Sequence, residues 1–181
     1  MRYVILLRGV NVGGRNKVNM PELKKQLEDA GFMEIKTYLN SGNVLADFDG
    51  RRDEAVIQVR RVLKTAYDFD IPFALLTADM LKADLQSVPL WWSEPLARRD
   101  ALFPTEGTDF DTVKADVASM PLSDETIHFG EHVILWGKRD ERTYGRTAYH
   151  RLLIQRPYYR KLTIRNGNTF DTLSEWIQKR L

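Results

Sequence analysis

The chain has no cysteine, only three histidines and no long apolar run, and each shortage removes a class of explanation. Without cysteine there is no disulfide framework, no thiol nucleophile and no thiolate metal site, a composition that suits the cytoplasm. The apolar stretch Tyr3 to Leu7 is closed by Arg2 and Arg8, too short for a signal-peptide core or a membrane span. A cytoplasmic protein with no membrane partner, whose mature chain starts at Met1, is therefore expected. His128 and His132 flank a predicted hairpin and His150 falls on a predicted helix, without the histidine and carboxylate spacing of a metal motif. No metal and no cofactor is expected. What is present is 181 residues, 43% of them hydrophobic, enough to bury the core of one domain or of two small packed ones.

Charge of one sign is also scarce overall, with a formal net of +2, but it is unevenly placed. Asp79 to Trp136 carries net −7, and Lys138 to Arg165 carries net +7. These blocks either offset one another or leave a functional basic patch. A smaller concentration lies in Arg8-Gly9-Val10-Asn11-Val12-Gly13-Gly14-Arg15-Asn16-Lys17, where three cations stand without an acid among glycines and asparagines that tolerate left-handed backbone. Such a loop suits an anion, or it simply turns the chain. It matches neither the dinucleotide glycine fingerprint nor the phosphate-binding loop with its lysine and hydroxyl. Ser41 lacks the preceding glycine of a nucleophile elbow.

Periodicity divides the chain into two similar runs. A strand at Tyr3 to Leu7 precedes a helix that Asn19, Pro21 and Glu22 open and Gly31 closes. Strands Ile35 to Leu39 and Val44 to Phe48 then flank the turn Asn40-Ser41-Gly42-Asn43, and a helix from Arg52 to Tyr67 leads to a strand at Pro72 to Thr77. After a connection holding a short helix and the Trp91-Trp92 pair, expected to pack between the halves, the order restarts. Strands at Ala101 to Phe103, Thr126 to Phe129, His132 to Trp136 and Lys161 to Arg165 alternate with helices at Phe110 to Met120 and Arg146 to Gln155. A last helix starts near Asn168 and Asp171. The expected fold is α+β: two ferredoxin-like β-α-β-β-α-β halves with antiparallel sheets, at 1–77 and 100–181, joined by 78–99 and ending in a C-terminal helix.

In that topology the first two strands run parallel, so the loop after strand one and the turn after strand two share one end of the sheet. Arg8, Gly9, Asn11, Gly13, Gly14, Arg15, Lys17, Ser41, Gly42 and Asn43 become one candidate ligand-binding edge. The same logic gathers Arg139, Arg142, Arg146, Arg165 and Asn166, with Lys138, into a second basic cluster in the other half. Tyr149 and Arg156-Pro157-Tyr158-Tyr159-Arg160-Lys161 interleave aromatics with cations, a pattern compatible with nucleic acid.

The segments Tyr3-Val4-Ile5-Leu6-Leu7-Arg8-Gly9-Val10-Asn11-Val12-Gly13-Gly14, Gly31-Phe32 and Thr37-Tyr38-Leu39-Asn40-Ser41-Gly42-Asn43-Val44 closely resemble a bacterial family called domain of unknown function 1697. Arg146-Thr147 and Thr163 to Thr169 look like its second signature. Gly167 stands where the family pattern has tryptophan, and the residues after Thr147 depart from the usual lysine-leucine-serine-asparagine run. The resemblance implies a bacterial, cytoplasmic protein with two ferredoxin-like halves, and no activity. The expected function is binding of an anionic ligand: a nucleotide, a phosphorylated metabolite or a nucleic-acid segment. Alternatives are an enzyme acting on a phosphorylated or carboxylate substrate, for which no catalytic residue is recognised, and a structural or protein-interaction role.

Overall fold

The computed structural model describes residues 1–179. The chain divides into two compact units, Met1–Met80 and a second from Leu81 onward. In the first, β1 (Arg2–Leu7), α1 (Met20–Asp29), β2 (Phe32–Tyr38), β3 (Asn43–Phe48), α2 (Arg52–Ala66) and β4 (Phe73–Thr77) follow one another. The sheet is antiparallel throughout, in the order β2-β3-β1-β4. Alternate residues of β1, Tyr3, Ile5 and Leu7, pack with Leu23 and Leu27 of α1 and Val59 and Leu63 of α2, the core that the helical spacing predicts. Asn19 Oδ1 accepts from the Glu22 amide at 3.1 Å and Gly31 takes φ +94°, so α1 is bounded as its sequence requires.

The second unit takes most of α3 (Ala78–Gln86) and a 3-10 turn at Leu90–Ser93. It continues with β5 (Arg98–Pro104), α4 (Phe110–Ala118), β6 (Glu125–Phe129), β7 (Ile134–Lys138), α5 (Ala148–Arg151), β8 (Leu162–Asn166) and α6 (Gly167–Gln178). Its antiparallel order, β6-β7-β5-β8, repeats that of the first sheet. Strand alternation sends Leu102 into a core with Val113, Val117, Trp136 and Tyr149, while its neighbour Phe103 meets Phe170 of α6. The α+β class and the two ferredoxin-like halves thus stand as the sequence implies. No helix among the described residues is long and apolar enough to cross a membrane.

Three local features differ from the sequence reading. The helix expected over Arg146 to Gln155 is a single turn, because Leu152 at φ −120°, ψ −55° leaves helical geometry and 3-10 turns follow. The last helix opens at Asn166, whose Oδ1 accepts from the Thr169 amide at 2.9 Å, not at Asn168. The segment before β7 is held by a side chain: buried Asp84 of α3 accepts from the Glu131 amide at 2.6 Å and the His132 amide at 3.0 Å. His132 Nδ1 lies 3.1 Å from the same carboxylate, so this histidine completes a turn anchor.

The tryptophan pair packs within the second unit. Trp92 is buried edge-on against Phe170 at 5.2 Å and donates from Nε1 to Asp171 at 2.9 Å. Arg99 lies over the same ring, 5.1 Å from its centroid, and pairs with Asp171 at 3.1 Å. A Cβ on Gly167 would fall 2.7 Å from Arg99 Nε, so the Arg99 side chain occupies the space that a larger residue at 167 would need.

Candidate functional site

The topology does bring the first loop and the β2–β3 turn together. Leu7 N donates to Gly42 O at 2.8 Å, and Asn11 Nδ2 donates to Asn40 O at 2.7 Å. Within the loop, Asn11 N bonds Asn16 O at 3.0 Å and Arg15 N bonds Val12 O at 3.0 Å. Gly13 and Gly14 between them both have positive φ, +57° and +76°. This is a miniature hairpin with the backbone signs of a type I′ turn, which explains the Gly-Gly pair by conformation. A Cβ on either glycine would meet nothing within 4 Å.

The asparagines are spent on holding this shape. Asn11, itself at φ +56°, also gives Nδ2 to Val18 O at 2.9 Å and accepts the Val18 amide at 2.9 Å. Asn16 Nδ2 donates to Gly9 O at 3.0 Å. Asn43 is fully buried and donates to Tyr38 O at 2.8 Å and Ser41 Oγ at 3.0 Å. Gly42 has no alternative: at φ +76° its Cβ would stand 2.6 Å from Leu7 Cβ. These residues build the edge rather than offering their amides outward.

What the edge presents is different. Gly13 and Gly14 have backbone amides with no hydrogen bond among the described residues, and the exposed Arg15 and Lys17 have no ion pair there. Arg8 is half-buried, and its amide donates to Pro72 O at 2.8 Å. A concavity of about 540 Å³ is lined by Asn11, Gly14, Lys17, Val18, Met20 and Asn40, among others, with no carboxylate or histidine in its wall. Val12 and Leu39 are exposed nearby in sequence, and Leu39 sits at φ +55°, a conformation uncommon for a large side chain.

Most residues of the second basic cluster are already engaged. Lys138 is buried, 2.6 Å from Asp124 Oδ2 and 2.7 Å from Thr143 Oγ1; its ammonium holds the Asp124 carboxyl below the usual range. Arg139 pairs with Glu94 at 2.9 Å and Arg142 with Asp140 at 3.0 Å. Arg165 is buried, donating to Thr163 Oγ1 and Ile164 O at 2.9 Å each, and burial pulls its guanidinium down to about 10. Asn166 caps α6. Arg146 instead lines a separate concavity with His150 and Arg151, two residues absent from the predicted set. The spacing of His150 from Arg146, four positions on, was the available signal for a shared helical face.

The interleaved aromatics are likewise engaged. Arg156 and Tyr158 both bond Asp116, and Tyr149 packs edge-on against Trp136 at 5.3 Å. Burial pushes the Tyr149 and Tyr158 hydroxyls well above the ordinary phenol range.

A family model described as a protein of unknown function, DUF1697, matches residues 1–135. The chain belongs to that family. No functionally curated protein matches it. Among solved structures it is similar to the conserved bacterial protein SP0830 from Streptococcus pneumoniae, at 43% identity and TM-score 0.92 over 97% of this chain and 98% of that one. The DUF1697 match includes the whole glycine-asparagine edge and ends before Arg146.

Proposed function

We propose that this DUF1697 protein is a cytoplasmic binding module for an anionic ligand, a nucleotide, phosphorylated metabolite or nucleic-acid segment, held at the edge formed by the first loop and the β2–β3 turn. The observation that carries the reading is the concavity beside Lys17 and Gly14, at the opening of α1, walled without any carboxylate. Two unpaired cations and free backbone amides would gain most from an oxyanion, since the helix N-terminus adds positive potential where Lys17 already stands. Arg15 and Lys17 supply charge, Gly13 and Gly14 supply amides, and Asn11, Asn16 and Asn43 fix the geometry. A wall without carboxylate or histidine favours binding over catalysis.

Titration with inorganic phosphate, a nucleoside triphosphate and a short single-stranded RNA, at about 50 and about 200 mM salt, tests this. Affinity is expected to fall as salt rises, and Arg15→Ala with Lys17→Ala together should weaken it by about a hundredfold. Binding that ignores both substitutions would overturn the reading.

A further inference from the structure

The concavity around Arg146 belongs wholly to the second unit and owes its existence to the broken helix. Because α5 stops at Leu152, the chain from Arg146 to Gln155 wraps around a space of about 510 Å³ instead of filling it with a continuous helical face. Arg146, His150 and Arg151 line it, together with apolar Pro121, Leu152 and Ile154, and no acid contributes to the wall.

The state of the two arginines separates this place from the paired part of the basic block. Lys138, Arg139, Arg142 and Arg156 each have a carboxylate within 3.1 Å. Arg146 and Arg151 are exposed, and neither has an ion pair or side-chain hydrogen bond among the described residues. His150 is exposed too, its ring packed on Tyr144 at 5.2 Å between centroids. Ile154 is 37% exposed on the same wall. Like charges gathered around a partly apolar hollow repel one another and focus a positive potential into it. The volume lies in the range of small-molecule sites, and the lining combines an apolar body with a few convergent polar groups.

We propose that this hollow is a second ligand site, for a small amphipathic anion whose phosphate or carboxylate head is gripped by Arg146 and Arg151 and whose apolar body rests on Leu152, Ile154 and Pro121. Guanidinium forks suit such a head, bonding two of its oxygens at once. The site is independent of the loop edge: it uses other residues, in the other unit, and asks for an apolar body as well as a charge.

The probe is phenyl phosphate, compared with inorganic phosphate and with phenol, followed by calorimetry and by the NMR shifts of the arginine Nε–H groups and the His150 ring. Phenyl phosphate should bind more tightly than either fragment. Arg146→Ala and Arg151→Ala should each weaken it by about tenfold. The milder Arg146→Lys and Arg151→Lys should weaken it less, and Ile154→Ser should weaken phenyl phosphate while leaving inorganic phosphate unchanged. These side chains are exposed, so the variants should melt as the parent does. The proposal is overturned if phenyl phosphate binds no better than inorganic phosphate, or if all the arginine variants bind it as the parent does. It is also overturned if binding is abolished by Arg15→Ala with Lys17→Ala, a result that would assign the ligand to the loop edge alone.

Discussion

The two units share one topology and treat charge in opposite ways. At the loop edge of the first, Arg15 and Lys17 stand without ion pairs, while the polar side chains around them are consumed in holding the backbone. In the second, acids from the negative block meet cations of the positive one: Asp124 with Lys138, Glu94 with Arg139, Asp116 with Arg156. The block from Lys138 to Arg165, taken by itself, makes the second unit look rich in anion-binding charge. Pairing cancels much of that charge, because a cation already facing a carboxylate has little attraction left for a ligand. Arg146 and Arg151 escape that pairing among the described residues and also line a hollow, and that is why they carry a site of their own.

The sharpest way to break the comparison is to damage the scaffold of the loop edge while leaving its charges alone. Gly42→Ala forces a Cβ to within 2.6 Å of Leu7 Cβ at φ +76°. Overpacking and the left-handed penalty together should cost about 3 kcal/mol, seen as a lower denaturation midpoint. Gly13→Ala, with open space and only φ +57° to tolerate, should cost about 1 kcal/mol. Equal losses at the two glycines would remove the distinction between a packing glycine and a turning one.

Next in size is the buried ammonium of the second unit. Lys138→Met removes the charge that faces Asp124 at 2.6 Å and leaves Thr143 Oγ1 without its donor, for an expected loss of about 2 kcal/mol at neutral pH. The pH dependence follows from the lowered carboxyl of Asp124. A group depressed on folding contributes stability above its unfolded value, and that contribution disappears as pH falls through the folded one. Lys138→Met should therefore flatten the acid limb of the stability curve, which denaturation at a series of pH values would measure. An unchanged acid limb would mean that the pair does not set the charge balance here.

Much of this was legible beforehand, for identifiable reasons. Strands β1 and β4 of the first unit carry apolar runs, α1 has cap residues at both ends, and the meeting of Arg8 to Lys17 with Asn40 to Asn43 follows from strand direction alone. The pairing of the basic block was not legible, since Glu94 with Arg139 and Asp116 with Arg156 join residues 45 and 40 positions apart. Nor was the truncation of α5: the apolar residues from Tyr149 to Leu153 suit a continuous helix, and only the geometry at Leu152 ends it. Asn11 looked like a ligand group because its partners, the carbonyls of Val18 and Asn40, belong to the backbone and leave no mark in residue identity.

The smallest expected effect on stability tests the comparison most directly. Arg15 and Lys17 are exposed and make no ion pair among the described residues, so replacing both with alanine should change the unfolding free energy by less than about 0.5 kcal/mol. If these cations merely solvate a turn, the double variant should also leave the salt dependence of phosphate binding untouched. If they are the ligand-facing charges of the edge, phosphate affinity should fall less steeply with salt in the double variant than in the parent, while the melting curve stays in place. A stable fold with a diminished salt slope separates binding from scaffolding, a separation that no substitution of Asn11, Gly42 or Asn43 can provide, because those residues hold the backbone on which the charges stand.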